Sequence, residues 1–175
     1  MLNVGDKIFI PNYGAGVVLD IGRRSFQEIE KEYVIIYLIV DDMDLLIPVD
    51  RIETYKIRAI GNKIDVEQAL AILGHGTDKL EVNWNKRYRK NNNKILSGKV
   101  NEMCEVLRDL YYLQEKEELP TGEEKILEKV KHLLASEIML LYGVSINEAY
   151  NRLKIWRFSE YILTIIALNP MLSYY

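Results

Sequence analysis

The chain predicts an α+β protein of two small domains, a short β-barrel followed by a bundle of about five α-helices. Two observations carry that expectation. Short β-rich runs broken by turn residues fill the first 58 positions, and from about residue 62 the apolar spacing changes to the three-and-four period of helices. A length of 175 residues with 49% hydrophobic and 28% charged side chains suits one large or two small folded units, each with a modest core. The boundaries read as a first domain over 1–59, a helical domain over 62–155, and an apolar tail over 156–175.

The strands follow in order. Lys7-Ile8-Phe9-Ile10, Ala15 to Ile21, Glu32 to Leu38 and Asp44 to Val49 are rich in β-branched and aromatic residues, and Gly, Pro, Asn or charged clusters separate them. Pro11-Asn12-Tyr13-Gly14 has turn chemistry, with Gly14 free to take a positive φ. Pro48 lacks an N–H, so its strand belongs at an edge or a bulge, and an exposed edge can accept a partner's strand.

Helices come next. Asp65-Val66-Glu67-Gln68 looks like a capping start, with Val66, Ala69, Leu70 and Leu73 on one face and Gly74 as the stop. A second helix is expected from near Asn83 to Ser97-Gly98, and a third from Lys99 to about Glu117 with Val100, Met103, Cys104, Leu107, Leu110 and Tyr111 as its stripe. Thr121-x-x-Glu124 and Ser145-x-x-Glu148 match the capping box and should open the fourth and fifth.

Charge is unevenly spread. Residues 1–58 hold seven Lys/Arg against ten Asp/Glu, whereas residues 84–99 hold six basic side chains and no acidic one. A lone cysteine, Cys104, excludes an internal disulfide, and with only His75 and His132 no zinc spacing exists. No cofactor or metal is expected. Glu123, Glu124 and His132 fall near one helix, but no nucleophile, phosphate loop or H-E-x-x-H accompanies them, so catalysis is not expected. The segment MLNVGDKIFI lacks the pattern of a secretory signal, and the apolar run YILTIIALNPMLSYY is too short to span a bilayer and is broken by Pro170, which points to the cytoplasm and away from membranes.

The segment Trp84-Asn85-Lys86-Arg87-Tyr88-Arg89-Lys90-Asn91-Asn92-Asn93-Lys94 is the most informative stretch. Helical spacing puts Lys86, Arg89, Lys90 and Asn93 on one side, where cations can follow a phosphate backbone. Trp84 at the helix start suits a wedge, since apolar side chains that enter a minor groove unstack the step they touch. The competing structural reading is a solvated charged face with Trp84 in the core.

Several motifs together resemble the CarD/CdnL family of bacterial transcription regulators. They are Val4-Gly5-Asp6-x-Ile8-x-Ile10-Pro11-x-Tyr13-Gly14-x-Gly16, Lys31-Glu32-Tyr33, Ile47-Pro48, Asn83-Trp84-x-Lys86-Arg87-Tyr88, and Leu96 to Asn101 continued by Glu105 to Leu110. The first half also resembles the polymerase-interacting module of the transcription–repair coupling factor. The resemblance implies a Tudor/SH3-like barrel that binds the RNA polymerase β subunit, and a helical domain on promoter DNA at the upstream edge of the bubble, stabilising the open complex. It places Trp84 in the minor groove, with Lys86, Arg87 and Arg89 along the backbone and little sequence preference, and helical spacing adds Lys90 to the DNA-binding set. Polymerase would meet Arg24 and the run Leu46-Ile47-Pro48. Through polymerase the protein would be associated with the nucleoid.

Two departures stand out. Leu46 occupies a position that is basic in better-known members, so an ionic contact does not carry over, and Glu124 or a displaced Lys125 stands where a lysine is usual. Residues 156–175 have no counterpart and are candidates to cover a core face, to join a homodimer or to stay unfolded. The rival readings are a protein-interaction module that never touches DNA, and an RNA- or ribosome-associated barrel, against which the acidic balance of the first 58 residues argues.

Overall fold

The computed structural model describes residues 2–26, 29–77 and 80–155. Five strands, β1 (Lys7–Ile10), β2 (Gly14–Phe26), β3 (Ile29–Leu38), β4 (Met43–Pro48) and β5 (Arg58–Ala59), make one antiparallel sheet in the order β4-β3-β2-β1-β5. The sheet is barrel-like and does not close, so β4 and β5 are its edges. Positive φ at Asn12 and Gly14 forms the turn between β1 and β2, where the Tyr13 N–H donates to the Ile10 carbonyl at 3.0 Å.

Alternation along the strands builds two cores. Ile8, Ile10, Val18, Val34, Ile36, Leu38 and Ile47 point inward and form the barrel interior, closed at one end by Val49, Ile52 and Tyr55 of the 3₁₀ helix that follows β4. Phe9 and Ala15 point the other way and are buried in the helical core. A one-residue irregularity between Val18 and Asp20 in the β2–β3 ladder leaves Leu19 as the extra residue, exposed on the outer face.

The helices are α1 (Lys63–Ala71), α2 (Trp84–Ser97), α3 (Val100–Glu115), α4 (Thr121–Tyr142) and α5, helical over 146–155. A 3₁₀ turn over Ile72–Gly74 prolongs α1. Two expected starts shift. Asn62, not Asp65, caps α1, accepting the Asp65 N–H at 2.9 Å while its own amide donates to the Asp65 carboxylate. At α4 the capping box does not form, because Pro120 is the cap and Thr121 already lies inside the helix; the Pro120 carbonyl accepts the N–H of Glu123 and Glu124. The Ser145 box does form, with the Ser145 N–H donating to Glu148 at 2.9 Å and the Glu148 N–H to the Ser145 hydroxyl at 3.3 Å.

Sheet and helices share an interface. Residues 60–62 alone connect β5 to α1. The Ala15 N–H donates to the Ser136 hydroxyl at 2.8 Å, and a Cβ added at Gly14 would lie 2.7 Å from that oxygen, so α4 sits directly on the start of β2. Lys7 reaches the Leu140 carbonyl at 3.1 Å, Lys129 reaches Asn12 at 2.7 Å, and Arg58 pairs with Glu137. Among the described residues no helix is long and apolar enough to cross a membrane. The tail expected over 156–175, with its dimerisation role, lies outside the described residues.

Candidate functional site

Two surfaces hold the residues singled out from the sequence. The first is the outer side of α2. Asn83 caps this helix by accepting the Lys86 N–H at 3.1 Å, and Gly98, with φ of 70°, ends it. Trp84 is therefore the first helical residue, where no preceding turn covers the ring, and it is 52% exposed. Tyr88 and Leu96 continue an exposed flank from it. Lys86, Arg89, Lys90 and Asn93 are exposed beside that flank. Among the described residues no carboxylate pairs with Lys86, Arg89 or Lys90.

Arg87 differs. It was expected along a phosphate backbone, and the structure places it inward between helices. Arg87 is 7% exposed, and its guanidinium forks onto Glu123 of α4, with Nη2 to Oε2 at 2.6 Å and Nε to Oε1 at 2.9 Å, while Nη1 donates to the Glu81 carbonyl at 2.7 Å. Arg87, Asn91 and Ile95 recur at four-residue spacing and form the buried face of α2, so helical phase turns this charge inward. Glu123 is wholly buried, and the pair ties α2 to the first turn of α4. Reasoning from the sequence missed that partnership, although the phase of Arg87 relative to Ile95 carried the signal. Lys94 turns toward α3 and meets Glu105 at 2.6 Å. The Asn91 side-chain amide is buried and has no hydrogen-bond partner among the described residues.

The second surface is the uncovered outer face of β2, β3 and β4. Register puts Asp20, Ile35 and Leu46 in one row across the three strands and Gly22, Tyr33 and Pro48 in the next, with Arg24 opposite Lys31 beyond them. Arg24, Leu46 and Pro48 are thus brought to one side of the sheet. Arg24 pairs with Asp20, and Lys31 with Asp50 at 3.5 Å. Leu46 is 38% exposed, and Leu19 lies exposed next to its row. Ile47 does not join them: its side chain is in the barrel core, opposite Val34, so only its main chain can meet a partner there. β4 pairs with β3 on one side and leaves its other edge open. Pro48 sits on that edge strand, as its missing N–H requires.

Both surfaces fall in regions that match known families. Residues 2–61 match the CarD-like/TRCF RID domain and residues 68–154 the CarD, C-terminal domain. The chain is also 30% identical over 145 residues to a protein of Bacillus subtilis (strain 168) named "Putative transcription factor YdeB", an alignment that covers 83% of this chain and 95% of that protein. The chain belongs to the CarD-like family. Within this CarD-like chain the first match ends between β5 and α1 and the second begins inside α1, with the edge of β4 in the first and the exposed side of α2 in the second.

Among the described residues the other titratable groups do not converge. His132 Nε2 lies 3.3 Å from Asp41 at the β3–β4 turn, Glu123 is committed to Arg87, and Glu124 faces solvent. Among the described residues no three His, Cys, Asp or Glu side chains gather around a point where a metal could sit. Cys104 lies in the helical core, where burial first and the Glu137 and Glu105 charges next push its thiol pKa up, so it stays protonated and unreactive.

Proposed function

We propose that this CarD-like protein is a transcription regulator that holds the RNA polymerase β subunit through the β2–β4 face and β4 edge and touches promoter DNA at the upstream edge of the bubble through α2. The observation that carries this reading is an exposed indole at the first position of α2, flanked by the three cations Lys86, Arg89 and Lys90, which have no carboxylate partner among the described residues. An indole held in water by a well-capped helix is poised to unstack a base step, and the adjacent cations suit the phosphates on either side. Arg87 has no part in this.

Two weak contacts cooperate through tethering. Polymerase docking raises the local concentration of α2 at the promoter, so a contact with little sequence preference becomes effective. A wedge that fits an opened junction better than closed duplex shifts the balance toward the open complex by that difference in affinity. On the polymerase side, Leu46 and its neighbours Leu19 and Ile35 make the docking face apolar where a basic residue is usual in the better-known members, so polymerase binding in the absence of DNA should depend only weakly on salt.

The second reading, a module that binds protein at both surfaces, draws on the apolar flank of Trp84, Tyr88 and Leu96. Binding of the purified chain to polymerase, with and without promoter DNA, across a salt series separates the two. The proposed function requires binding without DNA and a further, salt-sensitive gain with it. Equal affinity in both arms at every salt concentration would leave the DNA contact without support.

A further inference from the structure

The sheet and the helices meet through apolar contact, since Phe9 and Ala15 are buried in the helical core. Apolar burial is non-directional and tolerates rotation of one body on the other. Directional bonds cross it from Ala15 to Ser136, from Lys7 to the Leu140 carbonyl and from Lys129 to Asn12, all involving α4, and Arg58 of β5 adds bonds that reach α2 as well. Its Nη1 and Nη2 donate to the two carboxylate oxygens of Glu137 on α4, each at 2.7 Å, and its Nε donates at 2.7 Å to the carbonyl of Gly98, the residue that ends α2. The guanidinium lies 4.4 Å over the Phe9 ring, and Glu137, almost fully buried, also accepts the Gly61 N–H at 3.0 Å. One guanidinium therefore joins the sheet, α4 and the C-terminal end of α2.

The other end of α2 is held by the Arg87–Glu123 fork on the same helix α4. Glu123 and Glu137 are 14 residues apart, close to four helical turns, so both carboxylates leave one side of α4 about 21 Å apart. The helix they hold is itself 14 residues long. α2 is thus pinned at both ends to one rail, and the pin at its C-terminal end is the one that also holds the sheet.

We propose that Arg58 and Glu137 are positioning residues that fix the angle and offset of α2 relative to the β2–β4 face, so that a body docked by its sheet presents Trp84 in one orientation. This rests on the functional reading above, because tethering raises effective concentration only when both contacts can be made at once. A planar fork with two parallel bonds fixes orientation in a way that a single point charge does not. A buried ion pair can be replaced by apolar side chains of similar volume with little loss of stability, so the positioning role separates from a merely structural one.

The test uses the full chain with the double substitution Arg58→Met and Glu137→Leu, spin-labelled at Glu53→Cys, beside the barrel, and Asn85→Cys, on α2; both sites are exposed, and Cys104 is buried and stays unlabelled. The free wild-type background should give a single narrow distance distribution. In the double variant the distribution should at least double in width while the melting temperature stays within a few degrees. Affinity for polymerase without DNA should remain within twofold of wild type, and the lengthening of open-complex lifetime should fall at least fivefold. If the double variant melts early, Arg58→Lys, which keeps the charge beside Glu137 without the fork, is read in the same measurements and should show the same changes. An unchanged distance distribution overturns the proposal, as does a broadened one with undiminished lifetime. Failure of the wild-type chain to lengthen that lifetime counts against the functional reading alone, and the distance distribution still decides whether the fork is the pin.

Discussion

Arg87 and Arg89 stand two residues apart on α2, in the same basic run, yet one is buried against Glu123 at 2.6 Å and the other is exposed with no carboxylate partner among the described residues. The difference is helical phase. Two positions turn the helix by about 200°, which carries a side chain from the face packed on α4 to the face in water. A charge run is therefore divided work: part of it is cohesion and part of it is free surface. Any ranking of α2 residues by charge alone would merge the two.

The largest expected effect would break that comparison outright. Arg87→Ala strands the Glu123 carboxylate in the interior and should destabilise the chain by about 3–5 kcal/mol, whereas Arg89→Ala, on an exposed face, should stay within about 0.5 kcal/mol. Urea denaturation of both variants measures this, and equal losses would contradict the division. A smaller effect sharpens the outer face. Arg89→Ala and Lys90→Ala should each reduce by about 1 the slope of log affinity against log salt for promoter DNA in the polymerase complex, without changing sequence preference.

The smallest effect concerns α5. The Glu148 pKa is held below the ordinary glutamate value first by the Ser145 N–H and then by the Ser145 hydroxyl. Since the folded-state pKa is depressed, this cap contributes fully above the ordinary glutamate pKa and is lost as pH falls through the depressed one. Ser145→Ala keeps the N–H and removes only the hydroxyl, so it should lower helix content slightly at neutral pH and leave it unchanged in acid, which makes the acid dependence in circular dichroism shallower.

Local patterns reveal much of this molecule because period, turn chemistry and caps are local. The strand runs, the edge position of Pro48, the limits of α2 and the Ser145 box all follow from residues within a few positions of each other. What escaped detection joins residues far apart in the chain. β5 is two residues long and has no period to read, yet its Arg58 reaches Glu137 across 79 positions. Arg87 and Glu123 are 36 apart, and nothing near Arg87 except its phase relative to Ile95 announces the pairing. Thr121-x-x-Glu124 shows the opposite failure, a good local motif overridden because Pro120 already caps the helix one residue earlier. At the candidate site, Trp84 and the outer cations were legible as a pattern, while Ile47 was not separable from Leu46 and Pro48 until the strand register put it in the core. The Ser136-Glu137 pair inside the apolar run of α4 was an unread signal, since buried polar groups in such a run need partners from another element.

The most direct measurement is the lifetime of open complexes on a promoter that responds to the wild-type chain, repeated with Trp84→Ala at saturating protein. Because the indole is half in water at the start of α2, the substitution should leave folding and polymerase binding intact, while the lengthening of the lifetime should largely disappear. A folded, polymerase-bound Trp84→Ala chain that holds the bubble open as long as wild type does would contradict the assignment of α2 to DNA.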